Sequence, residues 1–398
     1  MKIVRYIFVY VMFLMGIYGV SLADEYVVST YSELKSRLAI VNPGDTILLA
    51  DGTFTISGDF ALAVRTSDIT IKSQSGNREA VIVKGQGMSG NVNHGFWIDA
   101  NNVTIQDITI QEVYNHGIQL DVNIDGVHIK NCIFRDTREQ MLKVPYNTNI
   151  NDPSEDGIIE DCLFMYSAGV GPQYYIGGID VHFGKNYIVR NNTFQDIQSP
   201  GGGLAEHAIH FWSSSENTLV EKNLIINCDR GIGFGLGTVP HIGGIIRNNI
   251  IYHDGSGTYA DVGIGLESSS NTKVYNNTIY FNHNRYPNAI EYRFSGTYGA
   301  YIANNLTNKL IVSRNSGTGT LENNVTNCQS NWLVNILSFN LHLAYKVDSV
   351  VNQGVIITGL TDDFDGDRRP MGGGIDIGAD EYKIRSTPIN LLLLKDSN

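Results

Sequence analysis

The stretch His207-Ala208-Ile209-His210-Phe211-Trp212-Ser213-Ser214-Ser215-Glu216-Asn217-Thr218-Leu219-Val220-Glu221-Lys222-Asn223-Leu224-Ile225-Ile226 decides the fold. It holds two strand-like runs joined by a short turn, then an Asn, then the start of a third apolar run. Its neighbours fall into the same columns. The first run recurs at 117–121, 141–144, 178–182, 231–235, 263–267 and 289–293. The second ends at Asn131, Asp161, Asn191, Asn223, Asn248, Asn276, Asn304 and Asn323, in steps of 30, 30, 32, 25, 28, 28 and 19 residues. Each unit carries three runs with period-2 alternation and no helical spacing, so each run is a strand with alternate side chains inward. Self-similarity at this period marks a solenoid, and connections between parallel strands are right-handed. The expected fold is all-β: a single-stranded right-handed parallel β-helix. The Asn column belongs at the tight turn between second and third strands, where Asn accepts left-handed backbone and bonds the next Asn in the stack.

Such asparagine stacks resemble those of pectin-lyase-like right-handed β-helices, and the resemblance covers residues 45–330. The phrase Asn42-Pro43-Gly44-Asp45-Thr46-Ile47, with Asp51-Gly52-Thr53-Phe54 after it, is similar to the opening of secreted alginate-lyase and chondroitinase-B-type β-helices. Before it, 29–38 forms an amphipathic helix with a polar N-cap and with Leu34 and Leu38 on one face, an N-terminal lid over the first coil. Near the other end, Gly372-Gly373-Gly374-Ile375-Asp376-Ile377-Gly378-Ala379-Asp380-Glu381-Tyr382 is similar to a closing phrase of many secreted bacterial β-helix proteins. These phrases speak to fold and compartment and carry no chemistry.

The 398 residues therefore form one domain with caps, since a solenoid grows by adding coils. The expected divisions are 1–23 signal peptide, 24–44 N-terminal cap with its capping helix, 45–330 parallel β-helix, and 331–398 C-terminal cap and tail. Lys2 and Arg5, an apolar run over 6–20, and Ser21-Leu22-Ala23 give the three-part layout of a secretory signal cut after Ala23. A membrane anchor is the alternative, but the run falls short of the ~20 residues a spanning helix needs. The expected address is extracellular, cell-surface or periplasmic, with no membrane attachment after cleavage and the chain a monomer. With 28 basic against 40 acidic side chains, the balance argues against nucleic acid as a partner. Cys132 and Cys162 occupy one place in successive coils and point inward. Export permits a bridge between them, and buried Cys also serves as a small apolar residue.

Alternation also decides which residues face water. In the first-strand column the Ile and the following Leu, Val or Phe point in. The middle outward position then reads Trp97, Gln119, Lys143, Asp180, His210, Gly233, Gly265 and Glu291. The last reads Asp99, Asp121, Pro145, His182, Trp212, Gly235, Glu267 and Arg293, and the residue before each run adds His94, His116, Gln140, His207 and Arg230. The second-strand column shows Thr, Ser, Val and Asn, as a bland face does. Insertions at 167–177, 199–206, 254–261 and 282–287 precede this strand, and one at 146–155 follows it, so loops wall a groove over a charged floor. Tyr174, Tyr175, Trp97 and Trp212 are candidate stacking platforms for sugars, and the bare glycines let a ring lie close to backbone.

An open groove suits a polymer, and the fold resembles that of polysaccharide lyases, which implies an acidic polysaccharide as partner and β-elimination from a uronic acid. That reaction needs a base, a cation to quench the carboxylate, and an acid for the leaving oxygen. Lys143 is the candidate base, or else an ion-pair partner of Asp180. Arg230 and Arg293 suit the cation or acid roles, and His182 with His210 is the other acid/base pair. Gln119, Asp180 and Glu291 complete the substrate contacts. Ca2+ is the possible cofactor, on Asp121, Glu206 and Glu267, with a structural Ca2+ in the loop of Asp363, Asp365 and Asp367. A transition metal on His182, His207 and His210 is a further option. The chain lacks the Asp cluster of calcium pectate lyases and the Lys and Arg motifs of the alginate-lyase and chondroitinase-B group, so no family catalytic residue transfers. Hydrolysis by Asp180 with Glu291, or Glu206 with Glu267, and a non-catalytic glycan-binding role are the alternatives.

Overall fold

The computed structural model describes residues 23–147 and 151–383. The expected signal segment, apart from Ala23, and the apolar tail at 389–394 lie outside them. Among the described residues no helix is long and apolar enough to cross a membrane.

The chain winds into a right-handed parallel β-helix. Its three faces are parallel sheets. A 12-stranded long sheet runs from Glu25–Val28 to Gly319–Glu322, a 10-stranded site sheet from Leu62–Val64 to Leu310–Arg314, and a 10-stranded third sheet from Gly52–Thr55 to Leu306–Thr307. Three strands per coil were expected. The structure adds a fourth, short sheet at one corner, built from two-residue strands such as Ser215–Glu216 and His241–Ile242. The long sheet also starts earlier than residue 45, because Glu25–Val28 pairs with Thr46–Leu49 ahead of the first full coil.

Inside, like stacks on like. Phe134, Phe164 and Phe194 lie in register on successive strands with rings 4.6 and 4.7 Å apart, all fully buried. The helix α1, Tyr31–Leu38, closes the first coil with Leu34 and Leu38 buried. Thr30 Oγ1 accepts from the Glu33 amide at 3.2 Å, and Glu33 Oε2 accepts from the Ser29 amide at 2.7 Å, a reciprocal cap. At the other end, Leu333, Leu341, Leu343, Val350 and Ile377 form an apolar cluster of their own. They pack against Ile226, Ile250, Tyr252, Tyr280 and Leu306, so the C-terminal segment buttresses the flank of the third sheet.

The Asn column resolves into two adjacent columns. Asn131, Asp161, Asn191, Asn248, Asn276, Asn304 and Asn323 take left-handed backbone, and in the coil of Asn223 that place is taken by Lys222. The stacked ladder is one residue later: Asn192, Asn223, Asn249, Asn277, Asn305 and Asn324. Each backbone N–H donates to the next side-chain carbonyl at 3.0–3.1 Å, and each Nδ2 donates to that carbonyl at 2.9–3.1 Å. Cys162 and Cys132 extend the ladder. The Cys162 amide donates to Asn192 Oδ1 at 2.9 Å and the Cys132 amide to Cys162 Sγ at 3.3 Å. Both thiols are free and buried, so their role is stacking, with no bridge.

The outward face of the long sheet is less bland than its sequence suggested. Lys130, Glu160, Arg190, Glu221 and Arg247 lie side by side on consecutive strands with alternating charge. Opposite charges on neighbouring strands stabilise the pairing. Burial works to raise the Glu160 carboxyl, but hydrogen bonds from Lys130, Arg190 and His128 outweigh it and hold the group down to about 2.

Two outcomes follow for stability. Asn249→Ala strands the buried Asn223 amide and is expected to cost on the order of 1–3 kcal/mol in denaturant unfolding, whereas exposed, left-handed Asn191→Gly is near neutral. Equal losses at the two sites would contradict the ladder assignment. Because Glu160 is depressed in the folded chain, its stabilisation is complete above its unfolded value of 4.5 and is lost as pH falls through about 2. Wild type should therefore lose more stability than Glu160→Gln on acidification across that window, and parallel acid curves would refute this.

Candidate functional site

Register assembles the site. Strands Gln140–Val144, Gly177–His182, His207–Trp212 and Arg230–Phe234 are successive in the site sheet. Pairing sets Lys143 beside Asp180, Asp180 beside His210, His210 beside Gly233, His182 beside Trp212, and His207 beside Arg230. The apolar partners Leu142, Ile179, Ile209 and Ile232 point inward at 0–1% exposure, which fixes the opposite direction for the polar row.

Asp180 is the hub. Lys143 Nζ donates to its Oδ2, and the Trp212 indole N–H donates to Oδ1 at 2.9 Å. His182 Nε2 lies 3.5 Å from Oδ2 and His210 Nδ1 3.7 Å from Oδ1. Burial of this carboxylate would raise its pKa, but the His182 ring beside it and the positive charge of Lys143 hold it well below the usual range. Asp180 is thus an anion that orients its neighbours.

Lys143 Nζ also lies 2.8 Å from His182 Nε2. An ammonium only donates, so His182 accepts there and carries its own proton on Nδ1, which faces Ser213 Oγ at 3.3 Å. Ser213 sits in left-handed backbone just after the strand. Nothing in the run Ser213-Ser214-Ser215 singles it out, so sequence reasoning missed it. The same holds for the Gly235 carbonyl, which accepts from His210 Nε2 at 3.1 Å.

The other expected residues divide into those that join the trough and those that do not. Arg230 joins it, with Nε donating to the Ala205 carbonyl at 2.9 Å and its terminal nitrogens without a partner among the described residues. Gln119 neighbours both Lys143 and Trp97 in register. Trp97 packs on Phe60 with Arg65 over its ring, and stays half-buried at the near end. Beside it His94 and His116 stack at 5.4 Å, and burial pushes them down to about 4 and about 3, so both are neutral. Tyr174 and Tyr175 stand exposed on the wall, where the loops touch one another: Thr258 Oγ1 donates to Pro200 O at 3.3 Å and Arg285 to Gly257 O at 2.6 Å.

Glu291 does not join. It is buried at 1% exposure, held by Arg314 at 2.8 Å, by Asn288 at 2.6 Å and by Tyr286. Arg293 is spent on Glu267 at 2.7 Å, and Glu267 also accepts from the Gly237 amide. The proposed Ca2+ ligands do not meet either. Asp121 follows a strand five positions from that of Glu267, about 24 Å at the usual strand spacing, and Glu206 faces imidazoles. In the Asp-rich loop, both Asp363 oxygens accept backbone amides, from Asp367 and Glu381, Asp367 pairs with Lys383, and Asp365 turns to His342. His207 and His210 group with Glu206, while His182 bonds Lys143 and is not among the three.

No protein-family model matches the chain, and no curated protein matches it in sequence. Among solved structures it is similar to the pectate lyase Pel9A, at 14% identity and a TM-score of 0.62, over 92% of this chain and 98% of that one. It is similar to an alginate lyase from Paenibacillus sp. str. FPU-7 at 20% identity and a TM-score of 0.53, over 75% and 97%. A lacto-N-biosidase from Eubacterium ramulus aligns at 12% identity and a TM-score of 0.52, over 76% and 67%. Identities this low speak to the fold, and the reaction must come from the residues.

Proposed function

We propose that the chain is a polysaccharide lyase that cleaves a uronic-acid-containing polymer by β-elimination in the trough of the site sheet. The observation that carries this is the contact of Lys143 Nζ with both Asp180 and His182 on the floor of the site sheet. Two of the similar solved structures bear lyase names, and the layout of an export signal agrees with a polymer met outside the cell.

The roles follow from the hydrogen bonds. At rest Lys143 is an ammonium and His182 a neutral imidazole. Moving one proton along the 2.8 Å contact leaves a free amine on Lys143 and an imidazolium on His182, which Asp180 stabilises at 3.5 Å. The amine then takes the proton beside the sugar carboxylate. The bond from the adjacent ring carbon to the glycosidic oxygen breaks, a carbon–carbon double bond forms, and His182 protonates the leaving oxygen. Both side chains return to their resting states. His210, at 1% exposure, takes no part in proton transfer.

Hydrolysis fits less well. Asp180 and Glu291 are four strands apart, about 19 Å, beyond the ~9.5 Å limit for a carboxylate pair. Glu267 is committed to Arg293 and the Gly237 amide.

Incubation with a panel of uronate polymers, pectate and alginate among them, should yield the ultraviolet absorbance of an unsaturated uronate. Lys143→Ala should lower turnover at least about 100-fold. New reducing ends without that absorbance would replace elimination with hydrolysis, and retention on polymer with neither signal would leave a glycan binder. An undiminished rate in Lys143→Ala would remove Lys143 as the base.

A further inference from the structure

We infer that Glu206, His207 and His210 bind a divalent transition-metal ion, and that zinc suits their donor set best. Their ligand atoms lie within 4.8 Å of one another. Glu206 Oε2 is 3.5 Å from His210 Nδ1 and 4.0 Å from His207 Nδ1. Each of these three atoms is buried and without a hydrogen-bond partner, and the two histidines are at 1% and 5% exposure. Buried polar atoms are nearly always satisfied, so three orphans aimed at one point call for a missing partner.

Proton placement makes the missing partner a cation. The Gly235 carbonyl can only accept, so His210 carries a hydrogen on Nε2. The neutral ring then turns a bare Nδ1 lone pair toward Glu206 Oε2 at 3.5 Å and Asp180 Oδ1 at 3.7 Å. Lone pairs facing one another away from water are costly, and a metal ion between them removes the conflict. A carbonyl holding the far nitrogen of an imidazole is the usual device for orienting a metal-binding histidine.

The local backbone is shaped for the same purpose. A Cβ at Gly233 would stand 2.6 Å from His207 Nε2, so the bare position on the next strand makes room for that ring. Two imidazole nitrogens with one carboxylate oxygen fit zinc and its first-row neighbours, which bind such atoms at about 2.1 Å and hold them roughly 3.4 Å apart. Small side-chain rotations close the observed spacing to that value. Calcium, which takes six to eight oxygens, fits poorly. Binding is a property of these residues whichever reaction the trough performs. If the lyase proposal holds, the ion adds positive charge to the trough that receives the acidic polymer.

The test uses the full chain stripped with EDTA and titrated calorimetrically with Zn2+, and separately with Ca2+. One equivalent of Zn2+ is expected, with a rise in Tm. Its affinity should fall at least about 100-fold in Glu206→Gln and in His210→Gln, since even groups behind metal ligands are worth 10–100-fold. His94→Gln should bind as wild type. X-ray absorption on the zinc-loaded wild type should show two imidazoles and one carboxylate, a readout that survives if a variant fails to fold. Absence of Zn2+ binding, Ca2+ binding in its place, undiminished affinity in both variants, or fewer than two imidazoles would overturn the site. In the first case His210 is an imidazolium shared between Asp180 and Glu206, visible by NMR as two protonated ring nitrogens.

Discussion

Register between coils is the constraint on which everything else rests. A slip of one residue in a parallel sheet would turn every outward side chain in and every inward one out. Here the slip is blocked by the polar ladder from Cys132 to Asn324, whose rungs each satisfy a backbone amide of the neighbouring coil. The stacked Phe134, Phe164 and Phe194 rings add apolar matching in the same direction. Lys143 meets Asp180 and His182 only because Gln140–Val144 and Gly177–His182 are locked in step.

Once in step, the site sheet divides its polar row by depth. Asp180 and His210 lie deepest, at 3% and 1% exposure, and there charge must be paired or shared. Lys143 and His182 stand above them, with side chains 12% and 17% exposed, open enough to meet a polymer yet held by the anion below. The two clusters use the same scaffold differently. One is saturated with hydrogen bonds, and the other leaves Glu206 Oε2, His207 Nδ1 and His210 Nδ1 buried without a partner.

The sequence carried the fold well because solenoids write their period directly into the chain. Alternating apolar residues, the left-handed Asn column and the capping helix were all legible, and the pairing of Lys143, Asp180 and His210 follows from counting within each run. Two things were not. Asn at both the left-handed place and the ladder place made one column out of two, and only a hydrogen-bond partner tells Asn248 from Asn249. The fate of a carboxylate also depends on groups from other coils: Glu291 read as a floor residue until Arg314, Asn288 and Tyr286 were seen around it. Distances along the stack likewise decide that Asp121, Glu206 and Glu267 cannot share an ion, something a one-dimensional alignment of runs does not display.

The central claim is that Lys143 and His182, brought together from neighbouring coils, exchange one proton and act as a unit. A double-mutant cycle on unsaturated-uronate formation tests it most directly, comparing Lys143→Ala, His182→Ala and the pair. Residues that act as a unit are strongly non-additive, so the double variant should be about as slow as the slower single variant. Losses that multiply would show two independent groups and contradict the proton exchange.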